Sequence, residues 1–195
     1  YPWTIPMLNG RTICLRNIDV KKIFELIDKY KVSHFGGAPI VLNMITGAPE
    51  SDRKKLNHKV FVLTAGGPPP SIIFKKMEAL GFEVMHVYGL TETYGHILQC
   101  AWNNEWNSYD EDKKNEIKAR QGVRYPNTEG AMVMDPETMK PVPRDGKTIG
   151  EIMIRGNIVM KGYFKDKEAT EKAMSHGWFH SGDLAVTNPD GYIKI

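Results

Sequence analysis

Cysteine, long apolar runs and blocks of like charge are what this sequence has least of. Its 195 residues include only two cysteines, Cys14 and Cys100, far apart and without CxxC spacing. That excludes a disulfide scaffold or a zinc knuckle and fits a reducing compartment. No window approaches the roughly 18 consecutive apolar residues of a membrane span, and no signal peptide opens the chain, so a cytoplasmic location is expected. The 26 basic and 23 acidic residues leave a net charge of +3 and are scattered among one another. A nucleic-acid footprint is therefore not expected. Neither a GxxxxGK[ST] phosphate loop nor a GxGxxG fingerprint occurs, so the ordinary P-loop and dinucleotide-binding readings lack their motifs.

What is present suffices for a folded core: 41% of residues are hydrophobic and 25% charged, too apolar a mixture for a disordered chain. Tyr1 stands inside an apolar stretch and Ile195 inside an alternating run. Both ends therefore read as interior positions of a longer protein.

Strand and helix patterns alternate along the first part. Asp19 precedes "VKKIFELIDKY", whose Val20, Ile23, Phe24, Ile27 and Tyr30 fall at helical spacing, so Asp19 is expected to cap an amphipathic helix. "KVSHF" reads as a short strand. "GGAPIVLNMITG" reads as a tight turn and a helix, with Pro39 near its start and Gly47 at its end. The cycle repeats with the strand "HKVFVLTAGG", a helix over "PPSIIFKKMEALG" closed by Gly81, and the strand "FEVMHVYG". Such alternation predicts an α/β fold with a parallel sheet covered by helices. Ligands sit beyond the carboxyl ends of the strands in such sheets. The glycine-rich turns "TAGGPPP" and "YGLTETYG" should line that crevice.

Ser108 and Glu111 have capping-box spacing ahead of the polar helix "DKKNEIKARQG", which Gly122 is expected to end. Beyond it, short alternating runs are punctuated by Asp-Pro, Pro-Val-Pro and Asp-Gly, and "DLAVTNPDGYIKI" carries an Asn-Pro-Asp-Gly turn. These are marks of antiparallel hairpins. A boundary is expected near residue 120, between an α/β part over 1–120 and a β-rich part over 121–195.

Thr91, Glu92, Thr93, Tyr94 and His96 crowd the end of a strand. Mg²⁺ takes hard oxygen ligands, typically a carboxylate with water and substrate phosphate, which suits Glu92. Thr91 can donate to a phosphate oxygen, and a helix beginning at "TETYGHIL" would add free amides. Tyr88 offers a flat face to a base. Equally, Thr91 and Glu92 could cap a helix while Tyr88 and Tyr94 pack in the core. Gly66 and Gly67 permit close approach of a flat ligand but are also ordinary turn residues. Asp183 could accept both hydroxyls of a ribose or merely serve a turn. His176 and His180 are four apart but lack the HExxH glutamate, which argues against zinc. His34, His58 and His86 read as structural or surface histidines, and Trp102 and Trp106 as packing.

Taken in order, "YGLTETYG", "GEIMIRG" at 150–156, "GWFHSGDL" at 177–184 and "PDGYIKI" resemble successive core motifs of the AMP-forming acyl-CoA synthetases. Through "SHFGGAPIVLN", "AWNNEWN", "KARQGV" and "MKGYFKDKEAT" the chain further resembles the short- and medium-chain acyl-CoA ligases, including those acting on methylmercaptopropionate. The resemblance implies that Glu92 helps hold Mg²⁺ and that Thr91 contacts the nucleotide phosphate. It implies that Gly66, Gly67, Pro68 and Tyr88, with Gly89 beside them, frame the adenine and that Asp183 binds the ribose. Gly67, Tyr94 and His96 would lie near the acyl pocket, where many relatives have proline in place of His96.

The implied substrates are ATP, coenzyme A and a small carboxylic acid, with Mg²⁺ as cofactor and a homodimer as an open option for assembly. The resemblance also implies that a phosphate loop would precede Tyr1 and a catalytic-lysine domain would follow Ile195. These 195 residues alone are thus expected to have little ligase activity. Delivery to a carrier protein, a luciferase-like oxidase and a non-catalytic binding module are the competing expectations.

Overall fold

The computed structural model describes residues 3–67 and 69–195. A one-turn helix α1 (Thr4–Met7) precedes α2 (Val20–Tyr30), which starts where the Asp19 carboxylate accepts the Lys22 amide at 2.9 Å. Then follow β1 (His34–Gly36), α3 (Pro39–Gly47), β2 (Val60–Thr64), α4 (Ser71–Ala79) and β3 (Phe82–Leu90). β1, β2 and β3 pair in parallel. Phe24 and Ile27 of α2, Leu42 and Ile45 of α3, and Ile73, Phe74 and Met77 of α4 bury against Val60, Val62, Phe82 and Val84. The period-2 alternation of the strands sends Phe61 and Met85 to the opposite, exposed face.

The parallel sheet stops there. β4 (Gly95–Gln99) and β5 (Val123–Arg124) complete the sheet in the order β1-β2-β3-β4-β5, but both run antiparallel to their neighbours. The helix expected from "TETYGHIL" does not form. Thr91–Thr93 make one 3-10 turn, Tyr94 takes a left-handed φ of 57°, and the chain reverses into β4. The Thr93 hydroxyl holds the reversal in place: it accepts the Leu90 amide at 3.0 Å and lies 2.8 Å from the Gly95 carbonyl, tying both sides of the turn. The α-helical N-terminus expected there for an anion is replaced by this single turn.

Two further expectations are corrected after β4. α5 (Glu111–Lys118) is capped by Asp110, whose carboxylate accepts the Lys113 amide at 2.8 Å, whereas Ser108 donates back to the Glu105 carbonyl. An aspartate directly before the first helical residue outcompetes a serine two positions further out. Gly122 does not close this helix, which ends at Lys118; it exchanges backbone hydrogen bonds with Ile193 instead.

β6 (Gly130–Met134), β7 (Gly150–Arg155), β8 (Phe179–Thr187) and β9 (Ile193–Lys194) form an antiparallel sheet in that order. Its turns are the ones the sequence marks. The Asp135 carboxylate accepts the Glu137 and Thr138 amides, and that of Asp145 accepts the Lys147 and Thr148 amides. The latter bonds, with the Thr148 hydroxyl, hold the Asp145 carboxyl down at about 2. The helix α6 (Lys167–Ala173), capped by Asp166, lies between β7 and β8. Ile97 and Leu98 of β4 pack with Val133, Ile152, Ile154 and Phe179, so the two sheets share a core. This packing sets the carboxyl end of β3 beside β8.

Candidate nucleotide and acyl site

The turns after β1, β2 and β3 open onto one crevice of about 1020 Å³. Gly36, Gly37 and Ala38 line it at one end, Gly66 and Gly67 in the middle, and Tyr88, Gly89, Thr91, Glu92 and His96 at the other, with Asp183 across from them. Gly66 and Gly67 have φ of +91° and +152°, and a Cβ on either would meet nothing within 4 Å. They present bare backbone to open space, as close approach of a flat ligand requires. Gly89 is glycine for the opposite reason: a Cβ there would stand 2.0 Å from the Gly95 carbonyl.

The site joins residues distant in sequence. Tyr88 donates its hydroxyl to Asp183 Oδ2 at 2.6 Å. Burial, and next the adjoining Asp183 carboxylate, push the phenol well above its ordinary value of 10. Glu92 is half-buried. Its backbone carbonyl accepts the Met160 amide at 2.7 Å, and its Oε1 accepts the Tyr163 hydroxyl at 3.1 Å. Oε2 accepts no hydrogen bond from the described residues. Thr91 is exposed beside it.

The charged residues lining the crevice are Glu92 and Asp183, both acidic. Both would repel a polyphosphate unless a cation lay between. No cluster of three or more His, Cys, Asp or Glu fit for a metal occurs among the described residues. A single carboxylate with one free oxygen fits Mg²⁺ held mainly by water and phosphate.

Of the residues expected at the site, Gly66, Gly67, Tyr88, Gly89, Thr91, Glu92, His96 and Asp183 all line the crevice. Pro68 lies outside the described residues. Tyr94 is not among the lining residues; it is 91% exposed. Burial depresses the His96 imidazole below its usual value, and its ring lies 5.0 Å from that of Tyr125.

Several residues that line or brace the crevice escaped the sequence reading. Gly36 and Gly37 form a third glycine turn at a strand end, a signal present in "HFGGAP". Gln121 lies on the crevice wall and accepts the Ile195 amide at 2.7 Å. Tyr163 and Glu151 stand in motifs quoted above, but nothing local marked their roles, because their partners lie 71 and 31 positions away. His180, read as not a zinc ligand, bonds Glu151 through Nδ1 at 2.9 Å.

Known proteins share both the sequence and the fold. The chain is 52% identical over its whole length to acetate/butyrate–CoA ligase AAE7, peroxisomal, of Arabidopsis thaliana, of which it spans 34%. It is 52% identical to acetate–CoA ligase CCL3 of Humulus lupulus, again over 34% of that protein. The chain thus spans about a third of the length of the curated relatives it matches. The N-terminal domain of FACL13 from Mycobacterium tuberculosis superposes with a TM-score of 0.79 at 27% identity, covering 97% of this chain and 45% of that one. Residues 1–164 match the family described as AMP-binding enzyme, and the chain belongs to that family.

Proposed function

We propose that this chain forms the nucleotide and acyl crevice of an AMP-forming acid–thiol ligase acting on a short- or medium-chain carboxylic acid. The observation that carries the proposal is the convergence of Glu92, Tyr88 and Asp183 on one crevice from two different sheets. Relatives named for acetate and butyrate support a short acid.

In the proposed reaction the acid's carboxylate oxygen attacks the α-phosphorus of ATP. The bond from that phosphorus to the bridging oxygen breaks, and pyrophosphate leaves. The thiol of coenzyme A, giving up its proton, then attacks the acyl carbon and AMP departs. Positioning and charge neutralisation drive both steps, and no protein nucleophile is required. When bound, Mg²⁺ would neutralise phosphate charge as the transfer proceeds. Glu92 would hold it through the free Oε2, and Thr91 would donate to a phosphate oxygen. Gly66, Gly67 and Gly89 would let the adenine lie against backbone, with Tyr88 as its aromatic wall. Asp183 would accept the ribose hydroxyls.

We assign residues 1–120 to the acyl and nucleotide frame and residues 121–195 to the part that delivers Asp183. The cytoplasm is the proposed location. One relative is named as peroxisomal, and fractionation of cells expressing the full-length protein distinguishes the two. No helix among the described residues is long and apolar enough to cross a membrane.

The test is pyrophosphate release by the full-length protein from ATP with a panel of short and medium carboxylic acids, with and without coenzyme A. Acid-dependent release, with acyl-CoA formed only when the thiol is added, and loss of Mg²⁺-dependent ATP binding in Glu92→Ala are expected. ATP binding without release for any acid would overturn the ligase in favour of a binding module.

A further inference from the structure

β8 does not run straight past β7. The register passes from Glu151 opposite Leu184 to Met153 opposite His180. One residue of β7, Ile152, therefore faces Ser181, Gly182 and Asp183 of β8. A bulge of this kind leaves backbone groups outside the ladder and re-aims the side chains it carries. Here it turns Asp183 to the crevice and to Tyr88.

The displaced amides find side-chain acceptors. Gly182, at a left-handed φ of +77°, donates its N–H to Glu151 Oε1 at 2.8 Å. The Asp183 N–H goes to Ser181 Oγ at 3.1 Å, and that hydroxyl donates to the Ile152 carbonyl at 2.6 Å. Glu151 is only 9% exposed. Its second oxygen, Oε2, lies 2.9 Å from His180 Nδ1, and His180 Nε2 lies 2.7 Å from Ser175 Oγ. An ionised carboxylate only accepts, so Nδ1 carries the proton and the imidazole is fixed between Glu151 and Ser175. The order Ser175, His180, Glu151 has the form of an acyl-transfer relay. The crevice, however, is lined by Asp183 and not by Ser175 or His180. The relay therefore serves the bulge.

We propose that Glu151 is a positioning residue that sets the ribose-binding carboxylate of Asp183 by holding both flanks of the bulge, His180 on one side and Gly182 on the other. The proposal rests on the reading of Asp183 as the ribose acceptor. A buried charge with both oxygens engaged fixes geometry more firmly than a neutral turn.

The experiment is steady-state kinetics of the full-length protein with ATP and with 3′-deoxy-ATP, in the parent and in Asp183→Asn, Glu151→Ala and Glu151→Gln. The parent is expected to favour ATP by about tenfold or more, as for a hydroxyl bonded to a charged acceptor. Asp183→Asn should erase most of that preference. Glu151→Ala should erase it too, through a raised KM for ATP more than a lowered kcat. Glu151→Gln, whose amide oxygen can still accept the Gly182 N–H, should restore much of it.

If Glu151→Ala is not folded by circular dichroism, Glu151→Asp replaces it, since the shorter side chain cannot reach both flanks. Parent-like preference in the folded Glu151 variant, with Asp183→Asn defective, overturns the positioning role and leaves the ribose assignment intact. Parent-like preference in Asp183→Asn overturns the ribose assignment and the inference with it.

Discussion

The Tyr88 hydroxyl and the Asp183 carboxylate meet at 2.6 Å although they lie 95 positions apart and in different sheets. Tyr88 closes the α/β sheet's side of the crevice, and Asp183 projects from a bulge in the antiparallel sheet. Their bond occupies Oδ2, and Oδ1 accepts no hydrogen bond from the described residues. Burial and the carboxylate both keep the phenol protonated, so Tyr88 remains a donor throughout the neutral range.

Tyr88→Phe keeps the ring as an aromatic wall and deletes only this bond. A hydrogen bond to a charged group contributes about 1.5 to 3 kcal/mol. With part of that recovered by water at the crevice, KM for ATP should rise roughly fivefold to tenfold while kcat changes by less than about twofold. Steady-state kinetics of the full-length protein read this directly; an unchanged KM would remove the Tyr88–Asp183 bond from nucleotide recognition.

Thr93 gives a prediction about stability. It is 2% exposed, and its hydroxyl serves both the Leu90 amide and the Gly95 carbonyl. Thr93→Val is nearly isosteric and strands those two backbone groups, at a cost of about 1 to 3 kcal/mol each in the worst case. Thr93→Ser retains the hydroxyl and should lose far less. Urea denaturation of the three proteins should place serine close to threonine and valine well below. Equal midpoints for valine and threonine would mean that the turn does not depend on the hydroxyl.

Much of the fold was legible because its determinants are local. The Asp19 cap, the Pro39 start of α3, the period-2 burial of β2 and the Asx turns at Asp135 and Asp145 each involve residues within a few positions. The reversal at Tyr94 was not legible, since "TETYGHIL" has no helix-forbidding residue before Gly95. What decides is a tertiary preference: β4 buries Ile97 and Leu98 against the second sheet. The site followed the same division. Glycines at strand ends announced the crevice, whereas Glu151 and Tyr163 could be found only once the chain had brought their partners to them.

His86 leads to a prediction about pH. It is 2% exposed, with Nδ1 lying 3.0 Å from the Ala119 carbonyl, and burial holds its pKa below the usual 6.5. The unfolded chain therefore takes up a proton before the folded one does. The contribution is fully present above about 6.5 and is lost as pH falls through the folded value. Thermal midpoints measured from pH 7.5 down to 5 should fall more steeply for the parent than for His86→Gln, which cannot titrate. Parallel slopes would assign the acid sensitivity to other groups.

His96 is where the acid itself should be read. Its imidazole lines the crevice two residues past the exposed Tyr94, rests near the Tyr125 ring and has its pKa lowered by desolvation. In the proposed acyl site an imidazole of this size would limit the length of an acyl chain by its shape. His96→Ala should therefore enlarge the acyl end and leave the nucleotide end alone. One methylene in an apolar pocket is worth about 1 to 3 kcal/mol. The ratio of kcat/KM for a longer acid over acetate should accordingly rise by roughly tenfold or more, with KM for ATP unchanged. Competition between two acids of different length in one vessel, read by acyl-CoA products, measures that ratio without depending on enzyme concentration. A uniform loss for every acid would place His96 in the general architecture of the crevice and not in its choice of substrate.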